Sequence, residues 1–187
     1  MRVEVLVSGS STHTKAGLVS YHDDHVLGPD TAAITLVSYC DFECPYCGRA
    51  YSVIKRLQAS LTDHLRFIFR HFPLIHKHPF AQQASEAAEA AAAQGQFWAM
   101  HDLLFENQVA LREDDLASYV GMLGLDTARF KDELSRKLYA TRMGRDVRLG
   151  RQSGVTGTPT FFINGSRHTD ENSLKRLVLS VSQRRPA

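Results

Sequence analysis

The chain has 187 residues, 43% of them apolar, with 22 Lys+Arg against 20 Asp+Glu. That length fits one domain with an insertion or a small subdomain, and the balanced charge excludes a disordered chain or a strongly basic nucleic-acid binder. Three cysteines are too few to staple a disulfide scaffold, so these thiols are expected to be chemical rather than architectural, and no apolar run approaches membrane-spanning length.

Residues 1–25 alternate weakly and are rich in Ser, Thr and His, which predicts an extended lead-in with one strand at most. Residues 2–8 are apolar but broken by Glu4, and no small-residue cleavage site follows, so they do not match a secretory leader. On that basis the chain is expected to be cytoplasmic. Gly28-Pro29-Asp30 is a turn signal, and the apolar, partly β-branched run 33–39 reads as a central buried strand. Pro45 falls where a helix would begin, and Val53, Ile54 and Leu57 continue that helix at helical spacing. Residues 65–72 alternate strictly and end at Pro73, giving a second strand and therefore a βαβ unit.

A helical block follows. Residues 81–93 are alanine-rich with Glu86 and Glu89, Phe97 to Phe105 mark a second helix, and 114–123 and 127–148 supply two more. The pattern then reverts to β, with a strand at 160–163, the hairpin signal Asn164-Gly165, a strand near Arg167-His168 and a closing helix at 171–181.

Cys44-Pro45-Tyr46-Cys47 stands between the first strand and the helix it feeds. A thiol at a helix N-terminus faces unpaired N–H groups and the positive end of the dipole, which favour a thiolate. The spacing by itself also serves zinc, haem attachment and iron–sulfur clusters. A second element, Thr158-Pro159-Thr160, immediately precedes the last hairpin, and a proline there marks a turn or a cis bond.

With the stretches Val26-Leu27-Gly28-Pro29, Asp41-Phe42-Glu43-Cys44-Pro45-Tyr46-Cys47, Phe69-Arg70-His71-Phe72-Pro73, Phe97-Trp98 and Thr158 to Gly165, the sequence resembles the DsbA-like family of thiol–disulfide oxidoreductases. The resemblance implies an α/β thioredoxin-like fold with an inserted helical subdomain. Its expected parts are a domain over 26–182, with a core at 31–76 and 154–182, an insertion at about 77–150, and a tail at 183–187. It further implies that Cys44 is the exposed nucleophile, Cys47 the buried resolving thiol and Pro159 the cis-proline of a substrate groove. Thr158 would face the Cys44 sulfur, and Pro45 and Tyr46 would tune the loop. The implied partners are protein thiols and disulfides, with glutathione or a redox-recycling protein beside them. Nucleic acid, membrane insertion, a metal, and any cofactor beyond the Cys44–Cys47 disulfide are not implied.

Two positions depart from that pattern. Ser38 stands where many relatives carry an acid beneath the buried thiol, and the nearest acids, Asp41 and Glu43, are expected in the exposed loop. Cys40 adds a third sulfur, read first as a small buried hydrophobe and second as an accessory redox thiol.

Other chemistries fit parts of the pattern. Cys-Pro-Tyr-Cys is also the glutaredoxin dipeptide, but a helical subdomain separates Cys47 from Pro159 here. Cys40, Cys44 and Cys47 resemble the radical-SAM cluster spacing, which needs repeated βα units. Zinc would need a histidine beside the cysteines, with His71, His76 and His78 nearest; His71 reads better as a hydrogen-bonded core residue, and the other two as solvated loop. A non-catalytic thioredoxin-fold module would not require both thiols and the proline. Phe97 and Trp98 read as packing, and Arg142, Arg145, Arg148 and Arg151 as a solvated basic stripe.

Overall fold

The computed structural model describes residues 21–169, 172 and 174–176. Five strands form one mixed sheet in the order β1-β3-β2-β4-β5. The strands are β1 (His25–Leu27), β2 (Ile34–Cys40), β3 (Leu65–His71), β4 (Thr160–Ile163) and β5 (Ser166–His168). β2 and β3 pair in parallel, while β1, β4 and β5 join antiparallel. The helices are α1 (Pro45–Leu61), α2 (Ala81–Ala92), α3 (Phe97–Glu106), α4 (Glu113–Met122), α5 (Thr127–Ser135) and α6 (Ala140–Gln152). Helices α2 to α6 all lie between β3 and β4 in the chain, which gives a thioredoxin-like α/β fold with a helical insertion. Repeated βα units, which the radical-SAM reading needed, are not its topology.

Strand alternation divides the side chains between two cores. Leu36 and Cys40 of β2, Phe67 and Phe69 of β3 and Phe161 of β4 meet α1 and the insertion. Val37, Tyr39, Ile68 and Phe162 point to the other face, where Val147 of α6 packs. Helix α1 buries Cys47, Ala50, Tyr51, Ile54, Leu57 and Leu61, a stripe at helical spacing. The turn before β2 requires Gly28, because at φ +91° a Cβ would stand 2.0 Å from the Leu65 carbonyl oxygen. The β4–β5 hairpin turns through Asn164 and Gly165, both at positive φ (47° and 82°), as a tight hairpin demands.

Several expectations are corrected. The helix expected over 127–148 is two helices, broken where Lys137 adopts a positive φ of 49°. Arg142 and Arg145 do not form a solvated face. Arg142 Nε binds Glu89 Oε2 at 3.0 Å, and Arg145 binds Asp23, Asp24 and Asp146. Glu89, chosen in the sequence as a helix former, is a buried hub: one oxygen takes His25 Nε2 and His71 Nε2, each at 2.7 Å, and the other takes Arg142. Phe97 and Trp98 pack against Phe69 and Phe67, as expected. The end of the closing helix, the tail and the lead-in before residue 21 lie outside the described residues.

Candidate active site

Strand register places the two signature elements side by side. β2 ends at Cys40, and the chain turns through residues 41–44 into α1. β4 runs antiparallel beside β2, pairing Thr160 with Tyr39. The segment entering β4 therefore lies at the carboxyl end of β2, against the start of α1. The Thr158–Pro159 peptide bond is cis, and Cys44 Sγ lies 3.5 Å from the Thr158 carbonyl oxygen.

Cys44 is the N-cap residue of α1, with extended backbone (φ −74°, ψ 119°), and Pro45 fills the first turn. No side chain caps this end and the first turn holds no acid, so its N–H groups remain available to the Cys44 sulfur. Tyr46 projects outward, 62% exposed, under the Arg49 guanidinium. Cys47 is fully buried one turn on, and its sulfur accepts from the Asp41 N–H at 3.5 Å. All three cysteines are free thiols.

Cys44 is not the exposed residue the resemblance implied. It is 3% accessible, with the Thr158 carbonyl against its sulfur. Nor is its thiol simply lowered by the helix. The adjoining Cys47 sulfur, and then burial, push Cys44 above the ordinary thiol range, while the Thr158 side chain favours its thiolate. Burial, reinforced by the Cys40 side chain, pushes the Cys47 thiol up as well. Two sulfurs sharing one buried site hold a single negative charge far more readily than two. Thr158 Oγ1 is itself buried without a partner, so it has a hydrogen to give to a Cys44 thiolate.

The loop is held by groups the sequence reading placed elsewhere. Asp41, expected in solvent, is fully buried. Its carboxylate accepts from the Glu43 N–H (2.8 Å) and the Leu74 N–H (2.8 Å) and pairs with His78 Nδ1 (2.8 Å). Glu43 turns inward to take the Phe80 N–H at 2.6 Å. An acid two residues before its N–H partner is the Asx-turn pattern, and that signal could have found Asp41. Gln108 gave no such signal. It arrives from the loop after α3 and donates Nε2 to the carbonyls of Phe42 (2.7 Å) and Cys44 (2.9 Å).

Below Cys47 a cavity of about 30 Å³ is lined by Ser38, Cys40, Cys47, Tyr51, His101 and Phe105, with room for a water molecule. The Ser38 hydroxyl lies 3.6 Å from Cys40 Sγ. Burial holds His101 below its ordinary pKa, and its Nδ1 lies 3.0 Å from Asp102, which Lys55 also holds.

The candidate zinc ligands do not gather at the sulfurs. His71 is a fully buried core residue on Glu89, His78 binds Asp41, and His76 is exposed. Among the described residues, one group of ligating type does converge, His25, His71 and Glu89. There the imidazoles both contact the same carboxylate oxygen, and Arg142 brings a positive charge to the other.

Fold and site together define a thioredoxin-fold protein with a dithiol at a helix start and a cis-proline beside it. The family model described as thioredoxin matches residues 20–181, and the chain belongs to that family. Among curated relatives, a Na(+)/H(+) antiporter NhaA 3 of Salinispora tropica is 48% identical over 158 residues, 84% of this chain and 24% of that protein. The antiporter NhaA of Herminiimonas arsenicoxydans is 43% identical over 77% of this chain and 23% of its own length. The chain thus spans about a quarter of the curated relatives it matches. Among solved structures, oxidised BdbD from Bacillus subtilis superposes with a TM-score of 0.74 at 22% identity, covering 84% of this chain and 90% of that one. Wolbachia pipientis alpha-DsbA1 gives 0.76 at 20% identity, with 90% and 94% covered. The structural neighbours are DsbA-like thiol–disulfide oxidoreductases.

These similarities overturn the cytoplasmic expectation. BdbD and DsbA are periplasmic or extracytoplasmic, and the curated relatives are antiporters. Mismatch between residues 2–8 and a leader is no basis for assigning a compartment.

Proposed function

We propose that this chain exchanges disulfides with protein thiols through Cys44 and Cys47, and that Pro159 with the backbone of Thr158 aligns the client. The observation that carries the reading is the sulfur of an N-cap cysteine meeting the Thr158 carbonyl, with a second thiol buried one turn behind it. In the oxidising direction a client thiolate attacks Cys44 Sγ of the Cys44–Cys47 disulfide. The S–S bond breaks, Cys47 leaves with the electron pair and takes a proton, and a second client thiol displaces Cys44 to close the client disulfide. In the reducing direction the Cys44 thiolate attacks a client disulfide, and Cys47 then attacks Cys44 Sγ and releases the client thiol.

Burial disfavours a Cys47 anion, so the reaction gains from the Asp41 N–H that meets this sulfur and from a proton on Cys47 once it has left. Which direction prevails depends on the potential of the pair against its partners; 30 mV in a two-electron couple corresponds to ~1.4 kcal/mol. Insulin reduction and oxidative refolding of a reduced client test the reading together. Cys44→Ser abolishes both, and Cys47→Ser accumulates a client mixed disulfide at Cys44. Undiminished turnover by Cys44→Ser would refute it.

A further inference from the structure

Three sulfurs, not two, occupy the site. Cys40 is the last residue of β2 and lies on the same face as Ser38, 3% exposed. Cys47 Sγ accepts the N–H of Asp41, so it rests against the peptide unit that begins at Cys40. Both side chains line the same 30 Å³ cavity, and the Cys40 side chain helps to push the Cys47 thiol up. Cys44 Sγ adjoins Cys47 but does not line that cavity, and it meets the Thr158 carbonyl instead. Cys47 is thus the middle sulfur of three.

Disulfide exchange needs a nucleophilic sulfur that reaches one sulfur of the bond while the other departs. Cys40 is placed to reach Cys47, and Cys44 is placed to leave toward the client side. Ser38 fits the same chemistry: a hydroxyl 3.6 Å from Cys40 Sγ can donate to a thiolate, whereas an anion there would repel one. The unusual serine and the unusual cysteine then serve one purpose.

Resting on the dithiol reading above, we propose that Cys40 is a third redox thiol that takes Cys47 from the active disulfide by internal exchange. The Cys40–Cys47 bond forms, the Cys44–Cys47 bond breaks, and the electron pair leaves with Cys44. The proton given up by Cys40 ends on Cys44, and no electrons enter or leave the protein. The oxidised chain therefore has two forms of equal electron count. In one, Cys44 is an electrophile within a disulfide. In the other, Cys44 is a free nucleophile, able to attack a client disulfide while Cys47 is engaged and cannot release the client at once.

Peptide mapping after rapid thiol blocking tests this. Wild type, Cys44→Ser and Cys40→Ala proteins are equilibrated with glutathione disulfide, blocked with N-ethylmaleimide and digested under non-reducing conditions. The expected result is a Cys40–Cys47 crosslink in Cys44→Ser, and in wild type a fraction carrying that crosslink with Cys44 labelled. Cys40→Ala should show Cys44–Cys47 alone, with no labelled Cys44. Free or merely glutathionylated Cys40 and Cys47 in Cys44→Ser, together with wild type crosslinked at Cys44–Cys47 alone, overturns the proposal. If Cys44→Ser fails to fold, the wild-type map decides by itself. Failure of Cys40→Ala to form Cys44–Cys47 would instead remove the dithiol reading on which this one stands.

Discussion

Cys44 Sγ faces the Thr158 carbonyl oxygen at 3.5 Å, and the Thr158 hydroxyl beside it is buried with no partner of its own. A buried hydroxyl without a partner costs stability, and here its one evident use is to meet charge on Cys44. Thr158→Val keeps the shape and removes the donor. The Cys44 thiol, already raised by Cys47 and burial, should ionise still less readily, because a charged hydrogen bond worth about 1.5–3 kcal/mol is lost. Iodoacetamide alkylation of the reduced protein across pH reads this as a midpoint moved to higher pH. An unmoved midpoint would show that the hydroxyl does not serve the thiolate.

Asp41 anchors the turn between β2 and α1 through the N–H groups of Glu43 and Leu74 and the His78 ring. Asp41→Ala orphans those donors in a buried place and should cost about 3 kcal/mol, read from urea unfolding. The same variant should shift the dithiol potential, because the Asp41 N–H that meets Cys47 loses its fixed position.

Gln108 and Gly48 form a matched pair. A Cβ on Gly48 would come 2.1 Å from Gln108 Oε1, so Gly48→Ala must push that side chain off the Phe42 and Cys44 carbonyls. Gln108→Leu and Gly48→Ala should each lower stability by about 1–2 kcal/mol. The double variant should cost less than the sum, since either change alone already breaks the contact. Strict additivity in chemical denaturation would contradict the coupling.

Burial lowers the pKa of His25 and of His101, so both are neutral in the folded chain where the unfolded chain has begun to take up protons. Their stabilising effect is complete above the unfolded value of about 6.5 and is lost as pH falls below it. Unfolding free energy should drop between pH 7 and pH 5.5 with a limiting slope of about 1.4 kcal/mol per pH unit for each such histidine. His101→Asn should flatten that slope whatever it does to absolute stability. An unchanged slope would locate the proton uptake elsewhere.

Much of the architecture was legible because its signals are local. Strict alternation gave β3, Asn164-Gly165 gave the hairpin, and the apolar spacing after Pro45 gave α1. The proximity of Thr158 to Cys44 was legible only through family resemblance, since 114 residues separate them. Inward-turned polar groups were not legible. Asp41 and Glu43 look like solvent-facing loop acids until Leu74 and Phe80 supply their N–H partners, and Arg142 looks like surface until Glu89 receives it. The break at Lys137 was hidden for another reason: lysine is an ordinary helix residue and carries no local signal for the positive φ it adopts.

Glu89 ties together a residue of β1, a residue of β3 and a residue of α6 from its own seat on α2. No hinge can run between insertion and sheet without tearing a carboxylate away from two imidazoles and a guanidinium at once. Amide hydrogens in α2, α6 and β3 should therefore exchange with one common protection energy, and the helical segment should not act as a swinging lid. On the proposed reading, a client would then be selected by side chains around the dithiol rather than by a swing of α2 or α6 against the sheet.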